Sequence, residues 1–192
     1  ILKRFGESEI AKQGYQIKTI IKNSNMKNTN VILGSKNDVL YGDGYIYDQL
    51  GKYTFKISPL SFYQTNPSQT EILYQKAIEY ANLQGDEILL DLYCGIGTIG
   101  IFASSKVRKV YGIEIVEQAI EDAKENARLN QVENIEFLCG NVEDTLEQVL
   151  EKSKIPDVIF VDPPRRGVDA ITIQNILSVG PKKIIYISCN PA

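Results

Sequence analysis

Histidine is absent from the 192-residue sequence. Acid–base work therefore falls to carboxylates, cysteine, lysine, tyrosine or water, and a histidine-based catalytic triad is excluded. Cysteine is scarce: Cys94, Cys139 and Cys189 make an odd count with no C-x-x-C spacing. That argues against a disulfide framework and a closed zinc site, and no metal is expected. No apolar run approaches the roughly 18 residues that a membrane-spanning helix needs, so no membrane partner is expected. The opening ILKRFGESEI lacks the long apolar stretch and small-residue cleavage site of a secretory leader, which makes the cytoplasm the expected location. A basic excess is missing too. The net charge is −3, which does not globally mark a nucleic-acid binder.

What is present suits an ordinary globular protein, with 43% hydrophobic and 23% charged residues. The length fits one domain plus a smaller piece, and a monomer is the favoured state. Residues 1–60 read as a small antiparallel β unit. Segment 15–22 alternates, and 30–33, 44–49 and 52–57 are short β-like runs separated by turn signals at 23–25, 34–37 and 41–44. The stretch SPLSFYQTNPS at 58–68 leads into a helix over about 69–82, with Ser68 as the expected cap and Glu71 as its capping-box partner. Residues 61–192 form the second expected domain. From residue 87, apolar strands alternate with amphipathic helices: strands at 87–92, 109–115, 135–139, 157–161 and 182–188, helices at 98–105, 116–130, 141–152 and 170–178. That order implies an α/β, Rossmann-like doubly wound parallel sheet. The chain stops four residues after the fifth strand, so the sheet is expected to be incomplete at its C-terminus.

Three constellations follow strand ends. EILLDLYCGIGTIG at 87–100 is a strand, a turn with Gly95, Gly97 and Gly100, and a helix start. Its G-x-G-x-x-G pattern, with Glu114 about 20 residues after the first glycine, fits a dinucleotide such as NAD or equally S-adenosylmethionine. The acids Asp91, Glu114 and Asp162 favour a cationic sulfonium over a pyrophosphate. Glycines used only for packing are the third reading. Next, VDPPRRG at 161–167 holds Asp162 at a strand's C-terminal edge, where open α/β sheets bind ligands, or is simply a rigid exposed loop. Finally, ISCNP at 187–191 sets Cys189 where a strand opens into a loop, as a nucleophile or a small apolar residue. Cys94 and Cys139 are expected to be structural.

Taken together and in this order, SFYQTNPSQ, DLYCGIGTIG, GIEI, DPPRRG and SCNPA closely resemble the S-adenosylmethionine-dependent RNA (uracil-5-)-methyltransferases, which make 5-methyluridine in tRNA and ribosomal RNA. The resemblance runs from about residue 28 to the end. It implies that Gln64, Tyr93, Glu114, Asn141 and Asp162 bind S-adenosylmethionine, Glu114 through the ribose hydroxyls. It also implies that Cys189 is the nucleophile that attacks C6 of uracil so that C5 can take the methyl group. The family's general base is a glutamate beyond S-C-N-P, which this chain does not reach. Thr98 stands where some members have asparagine, and no iron–sulfur cysteine cluster precedes Cys94. RNA is the expected partner, ribosomal RNA ahead of tRNA, with Arg165 a candidate for local charge beside a flipped uridine. An NAD-dependent oxidoreductase and a non-catalytic cofactor- or RNA-binding fragment are the alternatives.

Overall fold

The computed structural model describes residues 12–26, 33–34, 36–152 and 155–188. The chain divides into two units, Ile1–Ile46 and Tyr47–Ala192.

In the first unit, β1 (Ile20–Ser24) pairs antiparallel with β2 (Lys36–Tyr41), with a register shift between Ile20 and Ile21. The expected strand at 30–33 falls largely outside the described residues, and Leu33 lies in a bend. Lys36 and Asn37, read from sequence as turn residues, are instead in β2. The reason is cross-strand: the Asn23 side chain donates to Asn37 Oδ1 at 2.7 Å and to the Gly34 carbonyl at 2.8 Å, and accepts from Gly34 N–H at 2.8 Å. Pairing of this kind overrides the turn preference of asparagine.

A hairpin begins at the boundary, with all but its first residue in the second unit: β3 (Ile46–Leu50) and β4 (Tyr53–Ile57), joined through Gly51 at φ +57°. Helix α1 (Pro67–Ala81) follows. Its cap is Asn66, whose side chain accepts from Gln69 N–H at 3.2 Å, and Ser68 merely donates to Asn66 Oδ1 at 3.0 Å. The expected Ser68 cap is therefore corrected. Pro67 has no N–H to lose and its φ suits the first helical position, so the helix starts there.

The remaining elements alternate: β5 (Ile88–Leu92), α2 (Thr98–Ala103), β6 (Lys109–Glu114), α3 (Glu117–Leu129), β7 (Ile135–Cys139), α4 (Val142–Lys152), β8 (Val158–Val161), α5 (Ala170–Val179) and β9 (Lys183–Tyr186). The five strands form one parallel sheet in the order β7-β6-β5-β8-β9. Each face has its own core. Leu89 and Val110 pack with Tyr74, Ile101, Ile120 and Ala123 on one side; Leu90 and Ile113 pack with Leu146, Val149 and Ile176 on the other. The expected doubly wound α/β sheet is thus present, with a β-hairpin in each unit ahead of it. Strand order reverses at β5, which has β6 on one side and β8 on the other. The crevice beyond its C-terminal end is where an open sheet of this kind receives a ligand. Among the described residues, no helix is long and apolar enough to cross a membrane.

Candidate active site

Strand β5 is buried along its whole length, and alternation puts Asp91 on the same face as Leu89, under α2. Asp91 Oδ2 accepts from Gly100 N–H at 3.0 Å, while Oδ1 is buried without a partner. Burial, reinforced by the charges of Asp162 and Glu114 and opposed by the Gly100 N–H, pushes its carboxyl up to about 8. Asp91 therefore braces the turn from beneath rather than lining its mouth.

After Leu92 the chain bends at Tyr93, whose φ of +62° is unusual for a side chain of that size. Cys94 N–H donates to the Ile113 carbonyl at 3.0 Å, and Gly97 N–H to the Cys94 carbonyl at 2.8 Å. The three glycines have different reasons. A Cβ on Gly97 would stand 2.6 Å from Phe137 Cζ, and one on Gly100 would stand 3.0 Å from Asp91 Oδ2. A Cβ on Gly95 would meet nothing within 4 Å. Only Gly95, at φ +54°, leaves open space for a ligand; the other two serve internal packing.

Glu114, at the end of β6, accepts from Gly95 N–H through Oε2 at 3.2 Å and from Val116 N–H through Oε1 at 2.9 Å. It thereby ties the open glycine to the neighbouring strand end. Each oxygen keeps a lone-pair direction for a hydroxyl donor. On the other side of β5, Asp162 N–H reaches the Leu92 carbonyl at 3.5 Å. The Asp162 carboxylate has no hydrogen-bond partner among the described residues, and partial burial pushes it up to about 6. Asn141 is exposed and follows Gly140, whose N–H donates to the Glu114 carbonyl at 3.0 Å. Glu114, Gly95, Asn141 and Asp162 thus stand at or just beyond the ends of neighbouring strands, tied by the Glu114 side chain and by backbone bonds.

Tyr93 is half-buried against the core under α4 and α5. Burial first, then the charges of Asp169 and Glu143, pushes its hydroxyl up, opposed by Thr172 and by the charge of Arg166. Thr172 in turn donates to Asp169 Oδ2 at 2.9 Å, and Glu143 Oε1 lies 3.3 Å away. Asp169 also caps α5 by accepting from Thr172 N–H at 2.9 Å. Sequence reasoning missed Thr172; the cap signature D-x-x-T at 169–172 was its one local signal.

Gln64 is half-buried and makes no hydrogen bond among the described residues. Its segment is held from elsewhere. The hydroxyls of Ser58 and Ser61 donate to Asp122 Oδ1 and Oδ2 at 2.9 and 2.8 Å, and Asp122 is 2% exposed on α3. Beyond it, Tyr74 of α1 and Thr98 of α2 share a hydrogen bond of 3.0 Å between hydroxyls, which ties α1 to the start of the helix after the turn. Cys189 lies outside the described residues. Ile187, two positions earlier, donates its N–H to the Val161 carbonyl at 2.9 Å, beside Asp162 in the chain. Cys94 is buried in the core, and that burial, with Asp91 and Glu114 adding to it, holds its thiol well above the usual range. Cys139, expected to be structural as well, is exposed.

The family model described as tRNA (uracil-5-)-methyltransferase matches residues 7–192. The chain belongs to this family. Among the curated members, an RNA methyltransferase of Oceanobacillus iheyensis, described as uncharacterized, is 50% identical over 184 residues, 96% of this chain and 40% of its own length. Another of that description, from Staphylococcus aureus, is 52% identical over 176 residues, 92% of this chain and 39% of its own. The chain thus spans about two fifths of the length of the curated relatives it matches. A solved family structure, the Pyrococcus abyssi tRNA (uracil-54, C5)-methyltransferase in complex with S-adenosyl-L-homocysteine, superposes with a TM-score of 0.73 at 31% identity, covering 94% of this chain and 43% of that one. The expected preference for ribosomal RNA over tRNA is overturned here, because the matching family model and this family structure are both of tRNA enzymes. The motifs could not decide the matter: C5 chemistry needs the same strand-end residues whichever RNA carries the uridine.

Proposed function

We propose that the protein of which this chain is a part transfers a methyl group from S-adenosylmethionine to C5 of a uridine in tRNA. The observation that carries this reading is the pairing of the open glycine of the 93–97 turn with two carboxylates at the switch point of the sheet: Gly95 bonded to Glu114, with Asp162, whose carboxylate has no hydrogen-bond partner among the described residues, on the other side of β5. The residues present fit the cofactor. Open space at Gly95 admits a ligand against the backbone, Glu114 offers acceptors to a ribose diol, and negative charge at Asp162 suits a cation. Tyr93 and Gln64 contribute flanking contacts, and Asn141 follows Gly140, whose N–H bonds the backbone carbonyl of the ribose-binding acid. When bound, the cofactor supplies an electrophilic methyl group on a sulfonium.

Cys189 is the nucleophile of this proposal. Its thiolate would add to C6 of uracil and the C5=C6 electron pair would move to C5; C5 would then bond to the methyl carbon as the methyl–sulfur bond breaks, its electron pair staying on sulfur and S-adenosylhomocysteine leaving. A general base then removes the proton from C5. The C5–H electron pair re-forms the double bond as the thiolate leaves C6. The same corner on a dinucleotide enzyme would have to seat a pyrophosphate dianion beside Asp162 and Glu114, which the charge disfavours.

Calorimetry on the full-length protein separates the readings: S-adenosylhomocysteine binds and NAD does not. Binding of NAD alone would reverse the assignment. Incubation with tRNA transcribed with 5-fluorouridine then tests the chemistry. Fluorine cannot leave C5 as a proton, so a covalent protein–RNA adduct accumulates, and Cys189→Ser abolishes it.

A further inference from the structure

Strand β4 pairs with β3 along one edge. Its other edge meets a helix instead of a strand. Thr54 N–H donates to Asn130 Oδ1 at 2.9 Å, and Asn130 Nδ2 returns a bond to the Thr54 carbonyl at 2.7 Å. Two residues on, Lys56 N–H donates to Asn126 Oδ1 at 2.7 Å and its carbonyl accepts from Asn126 Nδ2 at 3.2 Å. Two further on, the Ser58 hydroxyl meets Asp122. Two strand residues advance about 6.7 Å and four helical residues about 6 Å, so a helix with polar side chains at i, i+4 and i+8 can serve every second residue of a strand.

Asn126 differs from its neighbours in one respect. Its Nδ2 also donates to the Ile96 carbonyl at 3.2 Å, in the peptide that joins Ile96 to Gly97. The side chain is 0% exposed, and its acceptor and both donors are engaged. One carboxamide therefore joins the strand that runs on to Ser58, Ser61 and Gln64 with the turn that carries Gly95.

We propose that Asn126 is a positioning residue for the methyl-donor cleft, holding the β4–Gln64 wall and the glycine turn in fixed relation. The proposal rests on the cofactor reading given above. Binding that orders one wall is then felt at the other through a single buried side chain.

The test uses the full-length protein and S-adenosylhomocysteine. Asn126→Asp keeps the acceptor for Lys56 N–H but turns oxygen toward two carbonyls. Its affinity, measured calorimetrically on folded protein, is expected to fall about tenfold, the scale of an unsatisfied buried carbonyl. Asn130→Ala loosens β4 without touching the turn and is expected to stay within about twofold of wild type. A merely structural role would lower stability in both and leave both affinities alike, which would overturn the proposal. In wild type, saturating S-adenosylhomocysteine is expected to slow hydrogen exchange at the Lys56 amide, read by NMR. That measurement needs no variant and decides the matter should Asn126→Asp fail to fold; an unchanged Lys56 rate overturns the proposal. Wild type that fails to bind S-adenosylhomocysteine would remove the cofactor reading itself, and this inference with it. Binding that survives unchanged in folded Asn126→Asp would remove only the coupling.

Discussion

On the core side of the 93–97 turn, the glycines are covered by protein: Gly97 lies against Phe137, Gly100 against Asp91, and the Asp91 carboxyl is buried and pushed up to about 8. On the outer side, Gly95 faces open space, Glu114 reaches it with one oxygen, and the Asp162 carboxylate has no hydrogen-bond partner among the described residues. The same residue types appear on both sides, glycine and carboxylate, and they do opposite work. Beneath the turn, glycine makes room for protein and the acid sits in a site that favours its neutral form. Above it, glycine makes room for a ligand and the acids offer lone pairs and charge. A glycine motif followed by an acid therefore does not name a ligand by itself; what matters is which glycine is left uncovered.

The sharpest way to break the comparison is to add one methyl group on each side. Gly97→Ala sets a Cβ into the Phe137 ring at a positive φ, and is expected to lower stability by about 2–4 kcal/mol in thermal or urea unfolding of the full-length protein. Gly95→Ala meets no atom and is expected to cost only the left-handed backbone penalty, about 1–2 kcal/mol, while removing most of the affinity for S-adenosylhomocysteine. Equal stability losses with affinity intact in Gly95→Ala would erase the distinction.

Glu114→Gln comes next. The amide can accept with one oxygen only, so either Gly95 or Val116 loses its acceptor. Affinity for S-adenosylhomocysteine is expected to fall by about 2 kcal/mol, the scale of a hydrogen bond to a charged group, with a smaller change in stability. A change in stability alone would return Glu114 to the scaffold.

The two aspartates separate by pH. Asp162 is raised to about 6, and a bound sulfonium favours its charged form. S-Adenosylmethionine affinity is therefore expected to weaken as pH falls through about 6, by up to about tenfold per pH unit below it. S-Adenosylhomocysteine, which lacks the positive sulfur, is expected to show a shallower profile, and Asp162→Asn to flatten the difference. For Asp91 the linkage concerns folding. Its folded value lies above the unfolded one, so the folded state holds the extra proton between about 4 and about 8. Its contribution to stability is complete below that window and is lost as pH rises through it. Unfolding by urea at a series of pH values is expected to show this slope in wild type and a flatter one in Asp91→Asn. A slope that Asp91→Asn leaves unchanged would mean that Asp91 does not carry it.

Much of this was legible in the sequence, and for identifiable reasons. Runs such as Ile88–Leu92 and Val158–Val161 are short, apolar and separated by amphipathic helices, so the parallel sheet follows from local pattern. Glu114 and Asp162 stand at strand ends and could be picked out by position. Legibility ended where partners are distant. Asn66 rather than Ser68 is the cap because Pro67 suits the first helical position, a local signal in its own right. Strand β2 runs through 36–41 because Asn23 binds Asn37 and Gly34, across a turn whose composition suggested a break. The polar ladder Asp122, Asn126 and Asn130 is spaced one helical turn apart on a buried face, yet its meaning depends on β4, about 70 residues away in the chain. The distinct duties of Gly95, Gly97 and Gly100 depend on Phe137 and Asp91 in the same way.

The central claim is that this site places a methyl group on C5 of a tRNA uridine through Cys189. Its most direct test is nucleoside mass spectrometry of tRNA incubated with the full-length protein and methyl-labelled S-adenosylmethionine. The account predicts label in 5-methyluridine and none with Cys189→Ser. Label in any other nucleoside, or 5-methyluridine that persists in Cys189→Ser, would contradict it.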